Sequence, residues 1–318
     1  MIATRPALVA AAQASIARGS KSFRFASTLF DQRTRERAWL LYAWCRACDD
    51  LADGQVMGHG MARVADPQTR LATIRARTAA ALAGEPSGDA AFDAFGLVAA
   101  ECGIPAVLAD DLIEGFALDA AGWRPQTEDD LYRYCYHVAG VVGVMMALVM
   151  GVPRDDEATL DRACALGLAF QLANIARDIG EDAAAGRCYL PAEWLAEAGI
   201  PADALMAGEH RPALARLAAR LAERAAAFET TARAGAAALP FRSAWAVLAA
   251  ANIYGGIARR VARDGEAALS RRVVTSRPAK LGGVARALWS TLQRRKRPSQ
   301  DVAWTRPRVG DFSRPARE

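Results

Sequence analysis

Glycine followed two or three residues later by proline cuts this chain at Gly103-Ile104-Pro105, Gly122-Trp123-Arg124-Pro125 and Gly151-Val152-Pro153. Such breaks end helices, and between them apolar residues recur at helical spacing, alanine dominates and β-branched runs stay short. The spacing predicts helices over about 6–17, 33–57, 67–83, 89–101, 105–121, 127–150, 156–182, 210–237, 241–268 and 279–294. Thr127-Glu128-Asp129-Asp130 has the hydroxyl-x-x-acid spacing of a capped helix start. No repeat recurs and no linker divides the 318 residues. The expectation is an all-α chain with one helical domain over 1–295 and a basic tail over 296–318 without fixed structure.

Composition narrows the classes. A hydrophobic fraction of 53% supplies a large core. The longest apolar run, Val138 to Val152, falls short of the ~20 residues of a membrane span and reads as a buried helix. The first residues lack a basic leader and are broken by Gln13 and Arg18, so no signal peptide is expected. Cys45 and Cys48 form a lone C-x-x-C; with three histidines in the chain, zinc is not expected, and the six cysteines read as free thiols of a reducing cytosol.

Charge is uneven. From Arg271 onward there are 13 Lys/Arg against 3 Asp/Glu, while the rest of the chain is mildly acidic. Leu281, Val284, Leu288 and Leu292 recur at helical spacing there, with Trp289 alongside and Arg294-Arg295-Lys296-Arg297 after. That pattern fits an interfacial helix on an anionic membrane. It also fits a last core-packing helix followed by a basic tail. No nucleic-acid motif is present, and nucleic acid is not expected as a partner.

Two aspartate pairs carry the candidate chemistry: Asp49 with Asp53, and Asp178 with Asp182. Residues four apart share a helix face, so each pair aims two carboxylates the same way, an arrangement a hard divalent cation stabilises. Spacing alone is weak, because Asp89 and Asp93 satisfy it too and read as a helix start capped by Asp89. The other two pairs emerge from apolar runs, with Arg46 before one and Arg177 before the other, and Asn174 stands one turn upstream of Asp178. Carboxylates and guanidinium leaving an apolar wall fit a pocket for a metal-bound diphosphate. Ser20-Lys21-Ser22-Phe23 adds hydroxyls and an ammonium before a helix, and Arg271-Arg272 adds more cations. Neither a dinucleotide-binding glycine fingerprint nor a Walker loop is present.

Five segments, Ser20–Phe23 (SKSF), Leu41–Asp53 (LYAWCRACDDLAD), Tyr134–Gly143 (YCYHVAGVVG), Gln171–Pro191 (QLANIARDIGEDAAAGRCYLP) and Val273–Leu281 (VVTSRPAKL), occur in one order. In them the chain resembles the squalene/phytoene synthase family of head-to-head prenyl transferases, and within it the bacterial phytoene synthases. Ala52 departs from the bulkier aliphatic usual in the first acidic motif, leaving both aspartates intact. The resemblance implies an isoprenoid (terpenoid) synthase fold with a central cavity and Mg²⁺, replaceable by Mn²⁺, held by Asp49, Asp53, Asn174, Asp178 and Asp182. It implies diphosphate contacts from Ser20, Lys21, Ser22, Arg46, Arg177 and Arg272, and a cavity lined by Tyr42, Tyr136, Gln171 and Tyr254. Ala139, Gly140, Gly143 and Ala147 are candidates for its floor. The implied reaction joins two geranylgeranyl diphosphates in carotenoid biosynthesis; no NADPH is expected. The alternatives are a relative using C15 diphosphates and a non-catalytic helical protein docking through its basic end. A cytoplasmic location is expected, free or peripheral on the inner face of the membrane.

Overall fold

The computed structural model describes residues 3–19, 21–54, 66–294 and 304–308, with only the backbone described for Lys21, Ser22 and Asp53. The helices are α1 (Arg5–Gly19), α2 (Lys21–Ser27), α3 (Gln32–Asp53), α4 (Pro67–Leu82), α5 (Ala90–Cys102), α6 (Ala106–Ala120) and α7 (Glu128–Cys135). A π-helical turn, Tyr136–Gly140, leads into α8 (Val141–Val149). There follow α9 (Glu157–Ala184), α10 (Ala192–Glu197), α11 (Arg211–Arg233), α12 (Phe241–Asp264), α13 (Glu266–Ser270) and α14 (Arg277–Leu292). No strand occurs among the described residues. The short α2 and α10 escape the sequence reading, and Gly265 splits α13 from the helix expected over 241–268.

The helix starts form as their chemistry dictates. Asp31 caps α3 through the Thr34 amide and Asp156 caps α9 through that of Thr159. Thr127 and Asp130 make the reciprocal capping box that opens α7. Asp89 caps α5, and Asp93 accepts the Ser87 amide and hydroxyl, so the third acidic pair is a helix start.

Helix α9 runs through the middle, packed against α8, α11 and α12, while α3 packs against α1 and α5. Arg5 ties α1 to α3 and α5 through Glu36 at 2.6 Å and Glu101 at 2.7 Å. Trp44 on α3 stacks on Phe95 of α5 with centroids 3.8 Å apart. Buried Glu229 on α11 is neutralised by Arg233 of its own helix at 2.6 Å and by Arg259 of α12 at 3.0 Å.

The stretch Glu128–Val149 is long and apolar enough to cross a membrane, yet 67% of its most apolar window lies buried within the fold, as a core helix does. At two points it meets α9 backbone to backbone. A Cβ on Gly143 would stand 2.3 Å from the Ala163 carbonyl oxygen, and one on Gly167 would stand 2.3 Å from that of Ala139. Only glycine admits that approach.

Residues 304–308, within the segment expected to lack fixed structure, are seated on the body. Trp304 donates to Asp129 at 2.9 Å and packs near Tyr136. Arg306 lies buried between Glu157 and Asp161, and Arg308 forks onto Asp161.

Candidate active site

A cavity of about 620 Å³ lies between α3, the α7–α8 segment, α9 and α12, within the range of small-molecule sites. Its walls follow helical periodicity. Helix α3 contributes Ala38, Leu41, Tyr42, Cys45, Arg46 and Asp49, positions three and four apart. Helix α9 contributes an unbroken face from Thr159 through Leu166, Phe170, Gln171 and Asn174 to Asp178 and Asp182. From α12 come Ala246, Val247, Ala250, Ile253 and Tyr254. Most of the lining is apolar, and the carboxylates belong to its polar end.

Of the expected residues, Asp49, Arg46 and Tyr42 on α3 meet Gln171, Asn174, Asp178 and Asp182 on α9 and Tyr254 on α12 in this one cavity. Arg46 bonds Asp49 at 2.6 Å and Asp50 at 2.7 Å. Arg177 forks onto its neighbour Asp178, and Arg272 bridges Glu181 at 2.8 Å and Asp178 at 3.4 Å. Neither Arg177 nor Arg272 lines the cavity; both bond Asp178, which does. The Asn174 amide leans towards Gln171 at 3.4 Å. Ser20 and the side chains of Lys21, Ser22 and Asp53 lie outside the described residues.

Tyr136 is corrected. It was expected in the cavity wall, but it is fully buried on the other side, its hydroxyl donating to Asp111 at 2.5 Å. Tyr134, Val138, Ala139 and Val142 line the cavity at ordinary helical spacing, and Tyr136, two residues from both Tyr134 and Val138, faces away from it. Gly140 turns away with Tyr136, its α-carbon packed against Leu168 and Cys164, while Ala139, Gly143 and Ala147 are in the lining as expected.

Among the cavity residues not found by spacing are Asp119, Tyr134, Arg187 and Tyr189. Tyr134 and Tyr189 stack at 4.7 Å and both donate to Asp119, at 2.9 and 2.8 Å. Burial, with Asp119 beside them, pushes both phenols above their ordinary range. Aromatic faces pair elsewhere too: Phe23 on Tyr42 at 5.3 Å and Phe170 on Tyr254 at 4.4 Å. Burial, with Tyr254, Asp49 and Asp50 near, pushes Tyr42 up to about 12. All six cysteines are free, and Cys45 stands in the cavity wall.

Burial, together with neighbouring Asp178, pushes Asp182 from 3.8 up to about 7. Negative charge is thus crowded where a cation would relieve it. No group of three His, Cys, Asp or Glu placed to hold one ion forms among the described residues. The donor set is nonetheless all oxygen, carboxylates and one amide, which is the set Mg²⁺ accepts.

An all-α shell around one deep apolar cavity, with carboxylates on facing helices at its polar end, defines an isoprenoid-synthase fold. The chain belongs to the squalene/phytoene synthase family, which it matches over residues 16–279. It is 47% identical to a 15-cis-phytoene synthase of Pantoea ananas, over 95% of this chain and 99% of that one. It is 45% identical to a 15-cis-phytoene synthase of a Paracoccus species, over 94% and 98%. Among solved structures it is similar to a dehydrosqualene synthase with bound ligand (TM-score 0.78, 25% identity, 91% of this chain and 98% of that one). It is also similar to a squalene synthase of Alicyclobacillus acidocaldarius (TM-score 0.71, 25% identity, 82% and 95%).

Proposed function

We propose that the cavity joins two geranylgeranyl diphosphates head to head, the phytoene synthase reaction of carotenoid biosynthesis. The chain is a prenyltransferase, and its substrate is a prenyl diphosphate. The observation that carries the reading is the convergence of Arg46 and Asp49 on α3 with Asn174, Asp178 and Asp182 on α9 at one end of an apolar cavity.

In the first half-reaction the C1–O bond of one substrate breaks and diphosphate leaves with the electron pair. The double bond of the second substrate attacks the allylic C1 cation, a proton is lost, and a cyclopropyl diphosphate results. In the second half-reaction that diphosphate leaves, the skeleton rearranges to the 1-1′ linkage, and loss of another proton gives phytoene. Two diphosphates are released. Asp49, Asn174, Asp178 and Asp182, with Asp53, would hold Mg²⁺, or Mn²⁺ in its place. When bound, the metal withdraws charge from the leaving oxygens.

The protein's own groups supply the rest. Arg46 and Arg187 face the diphosphate end of the cavity. The faces of Phe23, Tyr42, Phe170 and Tyr254 stabilise the passing carbocations, and the apolar walls exclude water. Asp119, which lines the cavity and accepts from the Tyr134 and Tyr189 hydroxyls, would receive a lost proton. The same reading seats the enzyme in the cytoplasm, working where its polyprenyl substrates partition.

The test offers C15 and C20 diphosphates separately with Mg²⁺, with and without NADPH, and identifies the hydrocarbon. Phytoene from the C20 substrate, independent of NADPH, is expected. A dominant C30 product from the C15 substrate overturns the C20 assignment, and absence of any pyrophosphate release overturns the enzyme.

A further inference from the structure

Helix α14 is apolar on two opposite faces. One, made of Gly283, Ala287 and Thr291, is buried on α12, where Asn252 donates to the Gly283 carbonyl at 2.7 Å and Trp245 to that of Val284 at 3.0 Å. The other carries Leu281, Ala285, Leu288 and Leu292 at three- and four-residue spacing, with Trp289 beside them. Residues two apart on a helix lie about 200° from one another, so this second stripe faces away from the body. The regular recurrence of Leu281, Val284, Leu288 and Leu292 therefore splits: Val284 turns inward, while Leu281 and Leu292 stay 60% and 64% exposed.

The exposure is concentrated. The five large hydrophobic side chains standing exposed among the described residues are Phe241, Val274, Leu281, Trp289 and Leu292. Three are on α14 and Val274 is in the loop before it. Phe241 joins them at the α14 end, where the Arg294 guanidinium lies 5.5 Å from its ring centre. An exposed contiguous apolar stripe calls for a partner.

Charge selects that partner. Arg277 and Arg286 flank the stripe on either side, and no Asp or Glu occurs from Arg271 to Gln300. Two copies meeting through this face would bring cation against cation. Leucines and a tryptophan in a basic frame, lying parallel to the body on a helix that is already formed, are what an anionic bilayer surface accepts.

We propose that α14 docks the protein flat on an anionic lipid bilayer, with Leu281, Trp289 and Leu292 entering the headgroup boundary and Arg277 and Arg286 meeting lipid phosphates. Helix α12, which carries α14 on one side, lines the cavity on the other with Ala246, Val247, Ala250, Ile253 and Tyr254. Two packed helices, α14 and α12, about 20 Å together, then separate the bilayer surface from the cavity. The docking surface stands independently of the reaction assigned to that cavity.

Co-sedimentation of the full chain with phosphatidylcholine–phosphatidylglycerol vesicles and with phosphatidylcholine vesicles tests this. Wild type is expected to bind the anionic vesicles and to release them in high salt. Trp289→Glu with Leu292→Glu is expected to lower that partitioning about tenfold or more. Its melting temperature and its turnover of detergent-dispersed substrate are expected to stay at wild-type values. Equal binding by this double variant overturns the proposal. So does wild-type protein that ignores both vesicles, or a wild-type dimer that the double variant converts to a monomer without any vesicle binding.

Discussion

The Tyr134 hydroxyl donates to the Asp119 carboxylate inside the cavity, at 2.9 Å. Tyr136, two residues on, makes the same kind of bond to Asp111 outside it. Tyr134→Phe is expected to lower kcat about a hundredfold, the scale of a lost proton-transfer group, with an unchanged melting curve. Tyr136→Phe is expected to keep kcat and to lose about 1–2 kcal/mol of stability, because buried Asp111 loses its donor. Steady-state kinetics alongside thermal melts separates the two; the reverse pattern would return Tyr136 to the site.

Asp49 and Asp178 face one cavity from opposite helices. Asp49→Asn or Asp178→Asn is expected to lower turnover by about two orders of magnitude or more, since each removes a charge the diphosphate end needs. The fold is expected to survive, because Asp49 is 40% exposed and Asp178 keeps its neighbours on α9. Pyrophosphate release and circular dichroism measure the two effects; wild-type rates in either variant would dismiss the metal assignment.

The raised Asp182 makes stability depend on pH in a definite sense. A carboxyl whose folded value, about 7, lies above its unfolded value of 3.8 favours folding while protonated. That contribution is present below 3.8 and is lost as pH rises through about 7. Metal-free protein is therefore expected to melt at a lower temperature at pH 8 than at pH 6, and Asp182→Asn to flatten the difference. Mg²⁺ is expected to restore stability mainly at the higher pH, where the carboxylate is ionised. Calorimetry with and without Mg²⁺ checks both; a pH response unchanged in Asp182→Asn would locate it elsewhere.

The two arginines of the seated tail segment differ in burial. Arg306 is 5% exposed between Glu157 and Asp161, whereas Arg308 is 39% exposed on the same carboxylates. Arg306→Ala is expected to cost about 1–3 kcal/mol in urea unfolding, and Arg308→Ala under about 1 kcal/mol. Equal small losses would mean that the segment contributes little to the fold.

The faces of α3 and α9 were legible because a straight α-helix keeps one period, so Tyr42, Arg46 and Asp49, or Gln171, Asn174 and Asp178, share a wall by spacing alone. Composition around the pairs also separated them from Asp89 and Asp93, whose glycine-rich approach marked a capped start. Tyr136 was placed in the wall by the resemblance and not by spacing; two residues from both Tyr134 and Val138, it lies on the opposite side of its helix. Asp119 was missed for a different reason. Its partners Tyr134 and Tyr189 are 15 and 70 residues away, and only the packing of separate elements brings them together. Tyr189 did sit inside the segment that carried the family resemblance, which is the one signal that reached it.

The glycines where α8 meets α9 set a direction for change in this cavity. Gly143 and Gly167 line it, and the space their side chains would fill is already occupied by the opposite helix's carbonyl oxygens. That wall is at its minimum: any substitution there pushes the helices apart. A lineage or a laboratory selecting for longer prenyl chains has to carve elsewhere, at bulky lining residues such as Met146, Met150, Leu166 or Leu239.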